Sequence, residues 1–171
     1  MADFITGLVH WFEDTYITPS WPILGKYVGE PNILHHQKPG FIGTMTTLLS
    51  RNYQTVVPAI IVIAISTMIF GFWWPLVFTL ALASLGNEVH AWNHRKKNNW
   101  IVSLLQDMCI IQTKSQHRIH HIPPYDTAYC TITNLLNPIL DRLKFWRILE
   151  YIILKTLRVK VKRCSPERSG F

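Results

Sequence analysis

The sequence predicts an all-α fold, a small integral membrane helical domain built around one transmembrane hairpin. Three observations predict it. Residues 56–85 run for thirty positions without a charge. Apolar residues make up 49% of the chain and charged residues only 16%, against roughly 25% charged in an average soluble domain. Eight histidines fall in four short groups rather than being scattered. With 171 residues the chain is a single domain, 1–171, whose last stretch, 151–171, is a basic tail. The composition excludes global disorder, a coiled coil and a collagenous chain. Three cysteines, Cys109, Cys130 and Cys164, form no CxxC pair, which argues against a disulfide scaffold and against a thiolate zinc site.

Taken in order, residues 2–16 (ADFITGLVHWFEDTY) suit an amphipathic or partly inserted helix. Residues 17–43 are rich in Pro and Gly and read as a loop. The apolar run then predicts two helical arms, 56–72 and 75–93, broken at Gly71-Phe72-Trp73-Trp74-Pro75 with the tryptophan pair at the far interface. The alternative is a buried hairpin in a soluble core. Residues 100–112 (WIVSLLQDMCIIQ) are apolar and helical but too short to span. Residues 135–157 repeat apolar positions every three and four with Lys and Arg between, as an interfacial helix does. The first residues lack a basic stretch, and Asp3, His10, Glu13 and Asp14 interrupt any apolar run, so no cleavable signal peptide is expected.

The net charge of +7 suits an anionic surface, either nucleic acid or membrane. Its placement decides. No Lys or Arg lies between Asn52 and His94, and a hairpin returns the chain to its starting side, so every basic residue can occupy one face. The positive-inside rule makes that face cytoplasmic. The expected location is an integral membrane position with the histidines and the basic tail on the cytoplasmic side. That membrane is the endoplasmic reticulum in a eukaryote and the inner membrane in a bacterium.

The histidine groups read LVHW, LHHQ, HAWNH and HRIHH. His90 and His94 share a helix face at i and i+4, and His117, His120 and His121 do so at i, i+3 and i+4. His35 and His36 precede the hairpin while the later groups follow it, so they meet on one side of the membrane. A lone histidine such as His10 is more often structural than a ligand; HxxHH beside HxxxH at a membrane interface points to metal. Neutral imidazole ligates Fe, Zn, Cu and Ni, and eight histidines exceed what one ion takes. The Glu-x-x-His of soluble carboxylate bundles is absent, and HAWNH lacks the general base of HExxH. Asp14, Asp107 and Asp126 are candidates to accept the proton of a ligand's second ring nitrogen, with a cap or salt bridge as the alternative for each. Glu88 is expected to face the histidines or an arginine.

These segments, ADFITGLVHWFEDTY, PNILHHQKPGFIG, GNEVHAWNH, LLQDM, QHRIHHIPPYDTAYC and NPILDRLKFWRILE, occur in an order and spacing that resemble the Kua family of membrane lipid desaturases over residues 2–150. That family includes plasmanylethanolamine desaturase and the plastid enzyme that introduces a trans-3 double bond into the palmitate of phosphatidylglycerol. At Cys109 and Gln116 the chain is more similar to the plastid type. The resemblance implies an O2-dependent desaturase acting on a lipid acyl or alkyl chain at a di-iron centre. It implies metal-binding roles for His10, His35, His36, His90, His94, His117, His120 and His121. It also implies electrons from a separate carrier, cytochrome b5 or ferredoxin. Competing readings are a lipid-chain hydroxylase, a non-catalytic membrane metal-binding or scaffold protein, and a zinc hydrolase; a nucleic-acid binder is disfavoured because no recognition motif accompanies the charge.

Overall fold

A computed structural model describes residues 1–44 and 47–163. Cys164 and the end of the basic tail expected over 151–171 lie outside the described residues. Among the described residues the chain is all helical, with no strand.

Helix α1 (Ala2–Tyr16) turns one face to the protein interior, burying Thr6, His10, Trp11 and Asp14. The next stretch is more ordered than its Pro and Gly content suggests. A single wide helical turn at Gly25–Gly29 leads into α2 (Glu30–Gln37). Pro31 sits in the first turn of α2, where a missing N–H costs nothing. A short helix, α3 (Phe41–Thr44), follows.

Helix α4 (Leu48–Phe70) begins eight residues before the uncharged run. The Thr47 hydroxyl accepts the Ser50 amide and the Ser50 hydroxyl accepts the Thr47 amide, a reciprocal cap that starts the helix among polar residues. Its segment Ser50–Phe70 is long and apolar enough to cross a membrane: 21 residues at 1.5 Å each give about 32 Å, against a hydrocarbon core of about 30 Å. Most of its apolar side chains, among them Ile60, Ile61, Ile65, Met68 and Phe70, are exposed. The helix ends at Gly71, whose φ of +81° a side chain would disfavour.

Helix α5 (Trp74–Ser84) packs along α4 and against α1. It is shorter than the expected second arm. At 11 residues, or about 17 Å, it stops at Leu85, and a separate helix, α6 (Gly86–His94), follows. A Cβ at Gly86 would stand 2.6 Å from Thr6 Cγ2, so α1 passes close against the backbone at the start of α6.

Helix α7 (Trp100–Asp107) is capped by Asn99, whose side chain accepts the Val102 amide. Helix α8 (Lys114–Arg118) is capped by Thr113 and Gln116, again reciprocally. The segment expected as one interfacial helix over 135–157 is two, α9 (Asn137–Arg142) and α10 (Phe145–Leu157), separated by Lys144 in a left-handed conformation at φ 52°.

A core of Trp11, Tyr16, Tyr129, Cys130, Leu140 and Trp146 holds α1 to the segment 128–130 and to α9 and α10. Trp11 and Trp146 stack at 5.9 Å, and Trp11 Nε1 donates to Glu150 Oε1 at 3.2 Å. On the other side, Asn93, Gln106 and Gln112 form a buried amide network: Gln106 donates to Asn93 at 2.9 Å, Asn93 to Gln112 at 3.1 Å, and Gln112 to the Cys130 carbonyl at 2.8 Å. This network ties α6 and α7 to the chain before α8 and fixes the helix that carries His90 and His94.

Candidate metal centre

All eight histidines meet between α1, α2, α6 and the α8 region. They form two groups of donor atoms, each with its members within 4.8 Å of one another. One group is His35, His90, His94, His117 and His121; the other is His10, Asp14, His36 and His120.

In the five-histidine group, His121 Nε2 lies 3.1 Å from His117 Nε2 and 3.2 Å from His94 Nε2. In the mixed group, Asp14 Oδ1 lies 3.2 Å from His36 Nε2, while Oδ2 lies 3.1 Å from His120 Nε2 and 3.6 Å from His10 Nε2. Metal–nitrogen bonds of ~2.0–2.1 Å bring neighbouring donors to ~3.0–3.4 Å, so most of these separations match those of atoms facing a common ion.

The rings are oriented from behind. His10 Nδ1 lies 3.1 Å from the Tyr129 carbonyl and His120 Nδ1 2.9 Å from that of Thr127. Each carbonyl holds a proton on Nδ1 and leaves the Nε2 lone pair for the centre. Asn32 Nδ2 donates to Asp14 Oδ1 at 2.6 Å and fixes the carboxylate. The sequence carries no mark of the roles of Asn32, Thr127 and Tyr129, since two of them act through their main chain. Asp14, expected behind a ligand, presents its oxygens among the donor atoms themselves. Asp107 is exposed at the end of α7. Asp126 faces Arg147 at 3.2 Å, and its charge is compensated there. Glu88 meets Arg51 at 2.5 Å, with Arg95 at 3.5 Å and Trp92 Nε1 at 2.9 Å.

The protonation states suit cation binding. Burial lowers His10 to about 3, against the upward pull of Asp14, and lowers His94 to about 3. Burial and neighbouring imidazoles lower His121 to about 2 and hold His35 and His117 well below the usual range. For Asp14 burial acts upward, but the neighbouring imidazoles of His36, His10 and His120 outweigh it and hold the carboxyl well below its usual value. The result is uncharged imidazoles at His10, His35, His94, His117 and His121, with an ionised Asp14 beside His10. His10 Nε2, Asp14 Oδ2, both nitrogens of His35, His90 Nε2 and His120 Nε2 are buried with no hydrogen-bond partner. Orphaned buried acceptors are costly in a protein alone, and a cation in either donor group would take one nitrogen of each of its histidines, with an oxygen of Asp14 in the mixed group.

A cavity of about 250 Å³ opens onto this cluster. His10 lines it from one donor group, and His35 and His90 from the other. It continues between α4 and α5 along Pro58, Ala59, Val62, Leu80 and Ala83. Near the histidines its wall turns polar, with Asn32, Asn87 and Glu13. Burial and the adjacent Asp14 push the Glu13 carboxyl up to about 8.

The lipid desaturase domain family matches residues 1–164. The chain is 32% identical over 168 residues to plasmanylethanolamine desaturase 1 of Mus musculus, covering 90% of this chain and 61% of that protein. It is 30% identical over 160 residues to a probable fatty acid desaturase of Acanthamoeba polyphaga mimivirus, covering 90% and 77%. It is 30% identical over 178 residues to the chloroplastic fatty acid desaturase 4 of Arabidopsis thaliana, covering 100% and 54%. The chain thus spans less than two thirds of the mouse and plant relatives. No solved structure matches it.

Proposed function

This chain belongs to the lipid desaturase family, and we propose that it is an oxidoreductase that desaturates the hydrocarbon chain of a membrane lipid in an O2-dependent reaction. The substrate is an acyl or alkyl chain, as the names of its relatives suggest: the alkyl chain of plasmanylethanolamine, or a fatty acyl chain such as the palmitoyl group of phosphatidylglycerol. The cofactor is a pair of iron ions. His10, Asp14, His36 and His120 hold one, and His35, His90, His94, His117 and His121 hold the other.

The observation that carries this reading is the cavity, apolar along α4 and α5, that ends on imidazoles from both donor groups. When bound, the iron pair supplies activation of O2, and overall a –CH2–CH2– unit, O2, two electrons and two protons give –CH=CH– and two waters. The residues of the chain supply placement. Pro58, Ala59, Val62, Leu80 and Ala83 hold the hydrocarbon and exclude water from the reacting carbons. His10 and His120, oriented by carbonyls, and Asp14, oriented by Asn32, keep the donor atoms fixed as charge changes at the centre.

The helices α4 and α5 form the membrane hairpin in this reading, with the histidines on the cytoplasmic side beside the basic residues. The membrane is the endoplasmic reticulum or a bacterial inner membrane, according to the host. Electrons come from a separate carrier protein such as cytochrome b5 or ferredoxin.

The test is lipid mass spectrometry on a host that lacks such activity and expresses either the chain or a His120→Ala, His121→Ala variant. A lipid lighter by two hydrogens, formed only with the unaltered chain, is the expected result. A lipid heavier by one oxygen would reassign the protein as a hydroxylase. Unchanged lipids, with metallated protein and reductant present, would support the metal-binding or scaffold reading.

A further inference from the structure

The two donor groups differ in how they reach the outside. The cavity is lined by His10, His35 and His90, and by none of His94, His117 and His121. In the five-histidine group only His94 and His121 are partly exposed; His35, His90 and His117 are buried. The cluster therefore has an apolar opening on one side and a second, surface edge at His94 and His121.

The surface around that second edge is basic. His94 leads into the 95–99 loop, which carries Lys96 and Lys97, both exposed. The α8 helix, which ends three residues before His121, carries Lys114 and Arg118. Loop and helix are joined where Lys114 Nζ donates to the Lys96 carbonyl at 3.1 Å. The main chain places Arg118 against His121, whose amide bonds to the Arg118 carbonyl at 3.1 Å. Lys114, Arg118, Ile119 and Ile122 line one shallow depression, and both isoleucines are at least half exposed. Arg95 is partly neutralised by Glu88 and is set apart.

We propose that this face, formed by Lys96, Lys97, Lys114 and Arg118 around the exposed Ile119 and Ile122, is the docking surface for an acidic one-electron carrier protein. The inference rests on the oxygen-dependent reading above, which requires two electrons per turnover. Each docking event oxidises the carrier by one electron and reduces the centre by one; the two accompanying protons come from water. The basic rim steers an acidic partner, and the apolar pair gives it a small dry contact. An anionic lipid headgroup satisfies the charge as well. It does not account for the exposure of His94 and His121 at the same place, which gives a short path from a docked carrier to the centre.

The test uses the full chain in nanodiscs of neutral lipid, with the soluble haem domain of cytochrome b5 and a plant-type ferredoxin as probes. Binding to both the metal-free and the iron-loaded chain is measured at low and high salt, together with the rate of carrier oxidation. Lys114→Glu/Arg118→Glu and Lys96→Glu/Lys97→Glu are expected to weaken the better-binding carrier by about tenfold or more at low salt, and to flatten its salt dependence. Iron content and reduction by dithionite stay unchanged in both variants, and Lys155→Glu on α10 serves as a control that binds normally. Carrier binding that is indifferent to both charge reversals would overturn the docking surface. So would variants that lose binding to anionic vesicles while keeping the carrier. An iron-loaded chain that dithionite reduces but that yields no altered lipid would overturn the desaturase reading alone, because carrier binding is read separately.

Discussion

Asp14 Oδ2 stands 3.1 Å from His120 Nε2, joining a residue of α1 to one that follows α8 across 106 positions of sequence. Neither atom has a hydrogen-bond partner otherwise, and both are buried. This contact makes the carboxylate a member of one donor group. Asp14→Asn keeps the shape but removes the charge. It is expected to lower bound iron from about two to about one per chain by elemental analysis of the purified protein, since a ligand set with only neutral donors holds a divalent ion less tightly.

The complementary substitution lies in the other group. His117 is fully surrounded and faces His90, His94 and His121. His117→Ala should also leave about one ion per chain, but the remaining ion should be the one Asp14 holds. The double variant, Asp14→Asn with His117→Ala, should therefore bind none. Equal loss of both ions in either single variant would mean that the two groups form one inseparable site.

The cavity makes a separate prediction. Ala83 is buried and lines its apolar arm. Ala83→Phe fills that arm, and product from the longest lipid chains should fall by about tenfold or more while shorter chains lose less. Iron content should not change. Ile65→Phe, at an exposed position of α4, should leave the product profile as it is.

The Arg51–Glu88 pair, almost wholly buried, links α4 to α6 just beside the histidines. Arg51→Met leaves Glu88 with the more distant Arg95 and the Trp92 indole. Removing one member of a buried pair costs about 3–5 kcal/mol, a melting shift of the order of 10 °C in a chain of this size. Adding Glu88→Gln should recover part of that loss in a thermal melt in detergent.

The metal-free protein should lose stability as pH falls. His10 titrates at about 3 in the fold and near 6.5 in an unfolded chain. Below pH 6.5 the unfolded state takes up a proton that the fold refuses, so stability is full above that value and declines as pH drops toward 3. At pH 5 the loss from this one histidine is about 2 kcal/mol. Melting of the stripped chain between pH 7.5 and 5 should show the decline, and iron loading should suppress it.

The helical character and the apolar helix before Gly71 are legible in the sequence because each depends on neighbours along the chain. So, in part, is the gathering of histidines: HxxxH places His90 and His94 together on α6, whereas α8 ends at Arg118, so His120 and His121 stand in the turn beyond it and not on one helical face with His117. The start of α4 was hidden, since the apolar run begins only at Val56, while the helix, capped by Thr47 and Ser50, starts eight residues earlier. Helix α2 was hidden by the prolines and glycines around it.

The donor sets were beyond the reach of sequence for a more specific reason. Each HH doublet is split: His35 and His121 belong to one group, His36 and His120 to the other. Consecutive positions on α2 point about 100° apart, so His35 and His36 cannot face the same point, while His120 and His121 part in the turn after α8; which group each joins depends on how the helices pack. Spacing along the chain says that the imidazoles converge. The assignment of each one, the entry of Asp14 into the donor set, and the opening of the cavity onto both groups follow from the packing of α1, α4 and α6 around them.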